Sequence, residues 1–506
     1  MKQRMLAATA ALALSFTGVA GVQQAQAASA KSLTYGVIAD IKSFEVRSSE
    51  FGNRAPFFQA VYDGLALVRP DGSLAPSLAL NWKWDKGLKV LTMNLRKGIK
   101  FTDGEPFNAA AVVKNLLAFQ KGDSPDASNA SSIKSVKAKD ANTVVITLSD
   151  IDPAFEGYLG RNMGMMQAPN TIGTDAAKTQ PVGTGMYIFD KANSQIGSVY
   201  VFKSNPNYWN KPVRKFDTLT IKVISDNTAA VNALKAGQVD CINLIDKSSV
   251  ASLTSAGIKM ASSYLDWSGF SFVDKGGRMG SPLKNVKVRQ AINYAINKDT
   301  MVQVLANGFG KPTSSVFASY SKGYDKAMDN YYSYNLAKAK ALMAEAGYAN
   351  GFTINLPSVS VLGASSYQAM KDTLAAINIT VNYTDVPLNE FFTQILTPKY
   401  PAYYMILERN SNDWTFIKFL LNRDAVWNPS GYGDATSDDL LAKIQHSNGA
   451  AQAKYLKALN KYVTEQAWFA PFFVNEGKFA YTSKLKVLTQ AGNAVPLLPL
   501  GITPAA

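Results

Sequence analysis

The chain has 506 residues, 47% of them hydrophobic and 18% charged, which is too long for one core and predicts two to four domains of ~100–200 residues each. A single cysteine, Cys241, and a single histidine, His446, exclude an intrachain disulfide and any metal site built from several Cys or His ligands. The formal net charge of +15 comes from scattered lysines and arginines without a long basic block or RNA-binding motif, which argues against nucleic acid and for solubility, acidic ligands or an anionic membrane surface.

Residues 1–27 have the anatomy of a secretory signal: Lys2 and Arg4 come first, an apolar run reaches Val19, and Ala25-Gln26-Ala27 offers a cleavage site, with a second after Ala30. No cysteine stands at the junction to be lipidated, and no later apolar run approaches the ~20 residues that span a bilayer. The mature chain is therefore expected to be exported, soluble, without a lipid anchor, and monomeric.

Residues 33–37 read as the first strand, 43–56 as an irregular polar stretch containing Glu50, Asn53 and Arg54, and 57–65 as a helix. The most informative run is 91–120. Leu91, Met93 and Leu95 alternate with polar residues, Asp103-Gly104 supplies a tight turn, and Asn108 is placed to cap a helix carrying Val112, Val113, Leu116 and Leu117. A strand at 143–148 and helical material at 153–159 follow. Further on come an apolar-faced helix closed by Gly237, a strand at 239–244 containing Cys241 as a small buried residue, a helix at 335–347, strands at 352–356 and 380–383 around a helix at 368–377, a long helix at 452–466 and a strand at 468–474. The alternation of strands and helices suits a mixed or parallel sheet covered by helices.

Several motifs fall in a telling order. Tyr62-Asp63-Gly64-Leu65, then Asp71-Gly72-Ser73-Leu74-Ala75-Pro76-Ser77-Leu78-Ala79 and Trp82, then Leu95-Arg96 through Asp103-Gly104-Glu105-Pro106-Phe107 are followed by Pro181-Val182-Gly183-Thr184-Gly185-Met186-Tyr187, Asn205-Pro206-Asn207-Tyr208-Trp209 and Val288-Arg289-Gln290-Ala291. Together they resemble the bacterial extracellular solute-binding proteins of family 5, the dipeptide, oligopeptide, nickel and glutathione binders of ABC transporters. The departures are Ala111 and Asn297 where relatives often carry acids, and Met186 for a proline.

The resemblance implies an α/β, two-lobed periplasmic-binding-protein fold of the large cluster, with an extra subdomain in the first lobe, a ligand cleft between the lobes and a two-strand hinge. On that pattern the first lobe comprises 28–71, the extra subdomain 72–182, then 183–268 and 471–506, with the second lobe at 269–470. It also implies a cleft position for Arg54, and for Gly183, Thr184 and Gly185, whose small residues let backbones pass closely; no phosphate loop is present, since no GK[ST] follows.

Residues 405–414 resemble the family's strand and loop whose aspartate holds the α-ammonium group in peptide binders. Carried over, that aspartate is Asp413, and a buried carboxylate on an ammonium makes strong charge-assisted hydrogen bonds. An alternative role for Asp413 is to cap a helix running 414–421. Arg409 and Asn410 stand where relatives carry Gly-Trp; Arg409 is placed to meet a ligand carboxylate, or else to pair with Glu408 or Asp413. Asn428 and Tyr432 are further cleft candidates, Asp438 a helix cap, and Trp267, Trp414 and Trp427 are candidates for stacking on ligand or for packing.

The function implied is that of a periplasmic receptor which binds a small peptide or peptide-like solute between its lobes and delivers it to the permease subunits of an ABC importer, without cofactor, metal or covalent step. An alternative within the class is a receptor for a nickel chelate, sugar or opine. An exported hydrolase is the contrasting class; no GxSxG, HExxH or SxxK-with-KTG set is present, and His446 lies in a polar helix end.

Overall fold

The computed structural model describes residues 31–409, 412–493 and 495–505; the signal-like segment, both cleavage positions and Asn410 lie outside the described residues. Local chemistry sets the elements. Leu91, Met93 and Leu95 are the buried positions of strand Val90–Leu95, and Asn108 caps helix Ala109–Gln120 by accepting from the Ala111 N–H at 3.1 Å. Gly104 takes the left-handed φ of 95° that the turn after Asp103 requires. These pieces belong to a four-stranded antiparallel sheet, in the order Ala79–Trp84, Val90–Leu95, Thr143–Leu148, Ile133–Asp140, with the helix packed on it.

The main sheet runs from edge to edge through Ala402–Glu408, Lys259–Phe272, Phe469–Tyr481, Cys241–Leu244, Ser32–Val37, Thr218–Val223, Val199–Ser204 and Tyr187–Phe189, with Gly310–Pro312 also on Phe469–Tyr481. Its two longest strands, Lys259–Phe272 and Phe469–Tyr481, are antiparallel partners from Lys259↔Tyr481 to Ser271↔Phe469. Each changes neighbours midway. Residues 478–481 pair with Cys241–Leu244, whereas residues 266–272 pair with Ala402–Glu408. The ladder between them shifts register at Tyr264/Trp267 and again at Ser268/Gly269, which is where a bulged pair bends most readily. Two strands thus carry the chain between two lobes, and the first register shift lies between the neighbours of one and the neighbours of the other.

The second lobe has its own core. Phe270, Phe272, Phe472 and Phe473 from the crossover strands meet Ile292, Ile296, Leu356, Leu374 and Val381. The parallel strands Phe352–Ser358 and Ile379–Asp385 are joined through helix Ala364–Ala375, the βαβ order expected from the alternating pattern. Helix Leu336–Glu345 is capped by Asn335. In the first lobe Cys241 is fully buried on its strand and burial pushes its thiol well above the usual range.

Glycine is required at the second register shift. A Cβ on Gly269 would stand 2.3 Å from the Ala470 carbonyl oxygen and 2.8 Å from the Pro471 Cα. Both are backbone atoms of the partner strand and cannot rotate away. Gly269→Ala is therefore expected to lower stability by about 3 kcal/mol, as overpacking does; a urea unfolding midpoint equal to that of the parent would show that the strands part at no cost.

Candidate functional site

A cavity of about 520 Å³ lies between the lobes. Its lining includes Trp82, Glu156, Tyr158 and Arg161, then Tyr320, Ser321, Lys322 and the run Asn412, Asp413, Trp414, Thr415, and near the C-terminus Ala491, Asn493 and Leu497. Aromatic and aliphatic walls with a few convergent charges are the usual make-up of a small-molecule site.

Of the acids on this wall, two are committed. Asp71 accepts from the N–H and hydroxyl of Ser73 at 2.9 and 2.7 Å, and Glu156 accepts from the Trp84 indole. Asp413 differs. It is the first residue of helix Asp413–Leu420, but the cap is Asn412, whose side-chain oxygen accepts from the Trp414 and Thr415 N–H groups at 2.8 and 3.3 Å. The alternative reading of Asp413 as the helix cap is thus corrected: the cap sits one residue earlier and Asp413 is released to face the cavity. Its carboxylate accepts from the Lys322 N–H at 3.1 Å and from the Ser321 hydroxyl. Burial raises its pKa, and those two hydrogen bonds offset only part of the rise. Asp413 forms no ion pair with a lysine or arginine among the described residues.

Trp414 lines the cavity and is nearly buried. Arg409 does not line it. Its guanidinium donates to the carbonyls of Leu265 at 3.1 Å, Phe317 at 3.2 Å and Tyr264 at 3.5 Å, and its own carbonyl accepts from the Tyr320 hydroxyl. Neither Glu408 nor Asp413 accepts from its guanidinium; Arg409 instead braces the wall formed by Tyr320, Ser321 and Lys322. Asn410 lies outside the described residues.

The other motif residues have partners within the chain. Trp267 is fully buried against Phe469, ring centroids 5.5 Å apart. Asn428 closes its own loop, donating to the carbonyls of Asn422 and Tyr432 at 2.9 and 2.8 Å, while Tyr432 packs edge-on against Trp468. Trp427 packs among Phe392, Tyr403 and Phe419. Arg54 pairs with Glu50 and donates to the Asp40 carbonyl at 2.7 Å, and Asn53 lies 3.5 Å from Asn243. Asp438 pairs with Arg423, and the cap of its helix is Asp434 in a capping box with Ser437. His446 places Nδ1 2.8 Å from the Ala442 carbonyl.

Gly183, Thr184 and Gly185 also stand away from this cavity. A Cβ on Gly183 or Gly185 would lie 2.1 or 2.4 Å from the Val61 backbone, so the close approach is to the first helix. Thr184 donates to Asp63 at 3.0 Å, and the same carboxylate accepts from the Tyr208 hydroxyl at 2.9 Å and the Trp209 indole at 2.8 Å. Three sequence motifs converge on one acid. The residues that sequence reading passed over, Tyr158, Arg161, Tyr320 and Lys322, come from segments without a motif; their position depends on the long-range approach of two lobes.

A profile described as bacterial extracellular solute-binding proteins, family 5 Middle, matches residues 73–425, and the chain belongs to that family. The Escherichia coli K12 glutathione-binding protein GsiB is 26% identical over 455 residues, covering 84% of this chain and 86% of GsiB. The Pectobacterium atrosepticum protein of the same name is 31% identical over 317 residues, 59% of this chain and 58% of that one. Among solved structures, HbpA2 from Haemophilus parasuis superposes with a TM-score of 0.82 at 22% identity over 94% of this chain and 100% of HbpA2. The murein-tripeptide-binding protein MppA in its unliganded open form gives 0.83 at 18% identity, over 94% and 98%. These likenesses give the chain the two-lobed fold of HbpA2 and MppA.

Two outcomes follow from the geometry. Asn412→Ala is expected to lower stability by about 1 kcal/mol through the lost cap, whereas Asp413→Ala leaves the cap in place; equal urea midpoints for Asn412→Ala and the parent would contradict the assignment. Burial raises the Asp63 carboxyl to about 6, against the lowering effect of its Trp209, Tyr208 and Thr184 donors. The folded state then binds the extra proton between its own pKa and the lower unfolded value, so this group's contribution to stability falls as pH rises through that window. Relative to Asp63→Asn, the parent should lose about 1–2 kcal/mol between pH 4.5 and 7. A pH-independent difference would mean that the three donors outweigh burial.

Proposed function

We propose that this chain is an exported receptor that binds a small peptide or peptide-like solute through its free amino group and delivers it to the permease of an ABC importer. The observation that carries this reading is Asp413: a carboxylate on the wall of the interlobe cavity, not used as a cap and raised in pKa by burial. An ammonium group placed there gains charge-assisted hydrogen bonds and adds to the favourable charge that Lys322 already supplies. The exposed Lys322 on the same wall is suited to a ligand carboxylate, and Trp82, Tyr158 and Trp414 offer apolar contact. Micromolar binding corresponds to about −8 kcal/mol, within reach of one such ion pair with backbone hydrogen bonds and apolar burial.

The relatives support the class and bracket the solute. GsiB is named for glutathione, a Helicobacter pylori DppA structure holds the peptide STSA, and a Brucella suis NikA structure holds Fe(III)-EDTA. The signal-like residues 1–27 support export, and the monomeric state is part of the proposal.

Protein stripped by denaturation and refolding should gain melting temperature with free-amine di- or tripeptides or glutathione. Ligand at ~100 times its dissociation constant adds about 2.7 kcal/mol. N-acetylated forms should fail, Asp413→Ala should abolish the shift, and affinity should fall as pH drops and Asp413 protonates. Stabilisation by sugars, opines or nickel chelates alone, unaffected by Asp413→Ala, would sink the amino-anchor reading.

A further inference from the structure

The extra subdomain and the second lobe touch through a seam of polar contacts beside the cavity. Lys418 Nζ lies 3.3 Å from Asp152 Oδ2. The Tyr158 hydroxyl and Thr415 Oγ1 are 3.0 Å apart. Gln445 Nε2 donates to the Ile151 carbonyl at 3.0 Å and lies 3.4 Å from Asp150 Oδ2. These partners are brought together by the fold alone, being more than 250 positions apart in the chain.

Thr415 and Lys418 are three residues apart on one helix and so share a face. That helix, Asp413–Leu420, begins with the carboxylate that faces the cavity. The element presenting Asp413 is therefore tied to the opposite wall by its own next turn. The receiving carboxylate is buried and held by its own neighbours. The Asp152 side chain is only 6% exposed, its Oδ1 accepts from the Ala154 N–H at 3.0 Å, and Ser132 Oγ stands 3.3 Å from its Oδ2. Lys418 crosses the face of Tyr158, with Nζ 5.6 Å from the ring centroid.

We propose that Lys418–Asp152, Thr415–Tyr158 and Gln445–Ile151 form a clasp that sets the spacing of the cavity walls and thereby scales affinity for whatever solute binds. Lys418 and Asp152 do this without lining the cavity. Their effect passes through the balance between clasped and parted lobes: a site completed only in the clasped arrangement binds more weakly in proportion to the fraction parted. The inference goes beyond the solute reading and depends only on the two-lobed fold.

The test needs no solute. Cys241, the sole cysteine, is buried, so cysteines introduced at the exposed Lys137 and Lys457 take nitroxide labels selectively. Distances between them are measured by double electron–electron resonance on the full mature chain, stripped by denaturation and refolding. Lys418→Met leaves Asp152 its contacts within its own subdomain, and it should move the distribution to longer distances and broaden it. Gln445→Ala should shift it the same way by less, and the double variant should lower the clasped-to-parted ratio about tenfold, a part-buried ion pair and a hydrogen bond combined. Should Lys418→Met fail to fold, as judged by circular dichroism, Gln445→Ala and Thr415→Val decide the matter. Distributions for the folded variants that superimpose on the parent's overturn the clasp.

Discussion

Everything in this molecule is arranged around one antiparallel pair, Lys259–Phe272 with Phe469–Tyr481. The pair is long because each strand must serve as a sheet member in two lobes, and it is irregular midway because those lobes present different neighbours, Cys241–Leu244 below and Ala402–Glu408 above. A continuous ladder keeps most backbone groups satisfied while the bulged centre absorbs a change of angle. Gly269, pressed against the Ala470 carbonyl, keeps the two strands close at that point. The cavity inherits its position from this pair, since Arg409, one residue beyond strand Ala402–Glu408, is fixed to the carbonyls of Tyr264 and Leu265.

Where chemistry is local, the chain could be read directly. Asn108 caps the helix that follows it, Leu91, Met93 and Leu95 point inward, and the strand Thr143–Leu148 has the expected bounds. Failures came in two kinds. Capping is decided by backbone angles that several neighbouring polar residues can satisfy, so Asn412 took the place given to Asp413 as one of two alternatives and Asp434 that expected of Asp438. Motif residues draw attention without saying what they touch. Thr184, Tyr208 and Trp209 meet at Asp63, and Asn428 closes its own loop. The wall residues Tyr158, Arg161 and Lys322 carry no local pattern at all, because what makes them neighbours is the bend of two distant strands.

The buried cations share a habit. Arg289 donates to the carbonyls of Leu283, Lys284, Gln466 and Ala467; Lys298 donates to Tyr332 and Lys275 to Phe272. None of these uses a carboxylate, so burial has little to oppose it and pushes Lys275 down to about 7, Lys298 to about 8 and Arg289 to about 10. Positive side chains here tie loops and strand ends together in the second lobe.

Cys241 sits sealed in the first lobe, its thiol shielded and hard to ionise. No disulfide within the chain can hold the native state together, and none must be formed to reach it. On the proposed export route the chain could therefore mature without an oxidase or a disulfide isomerase, and its assembly would be indifferent to the redox poise of the compartment it enters.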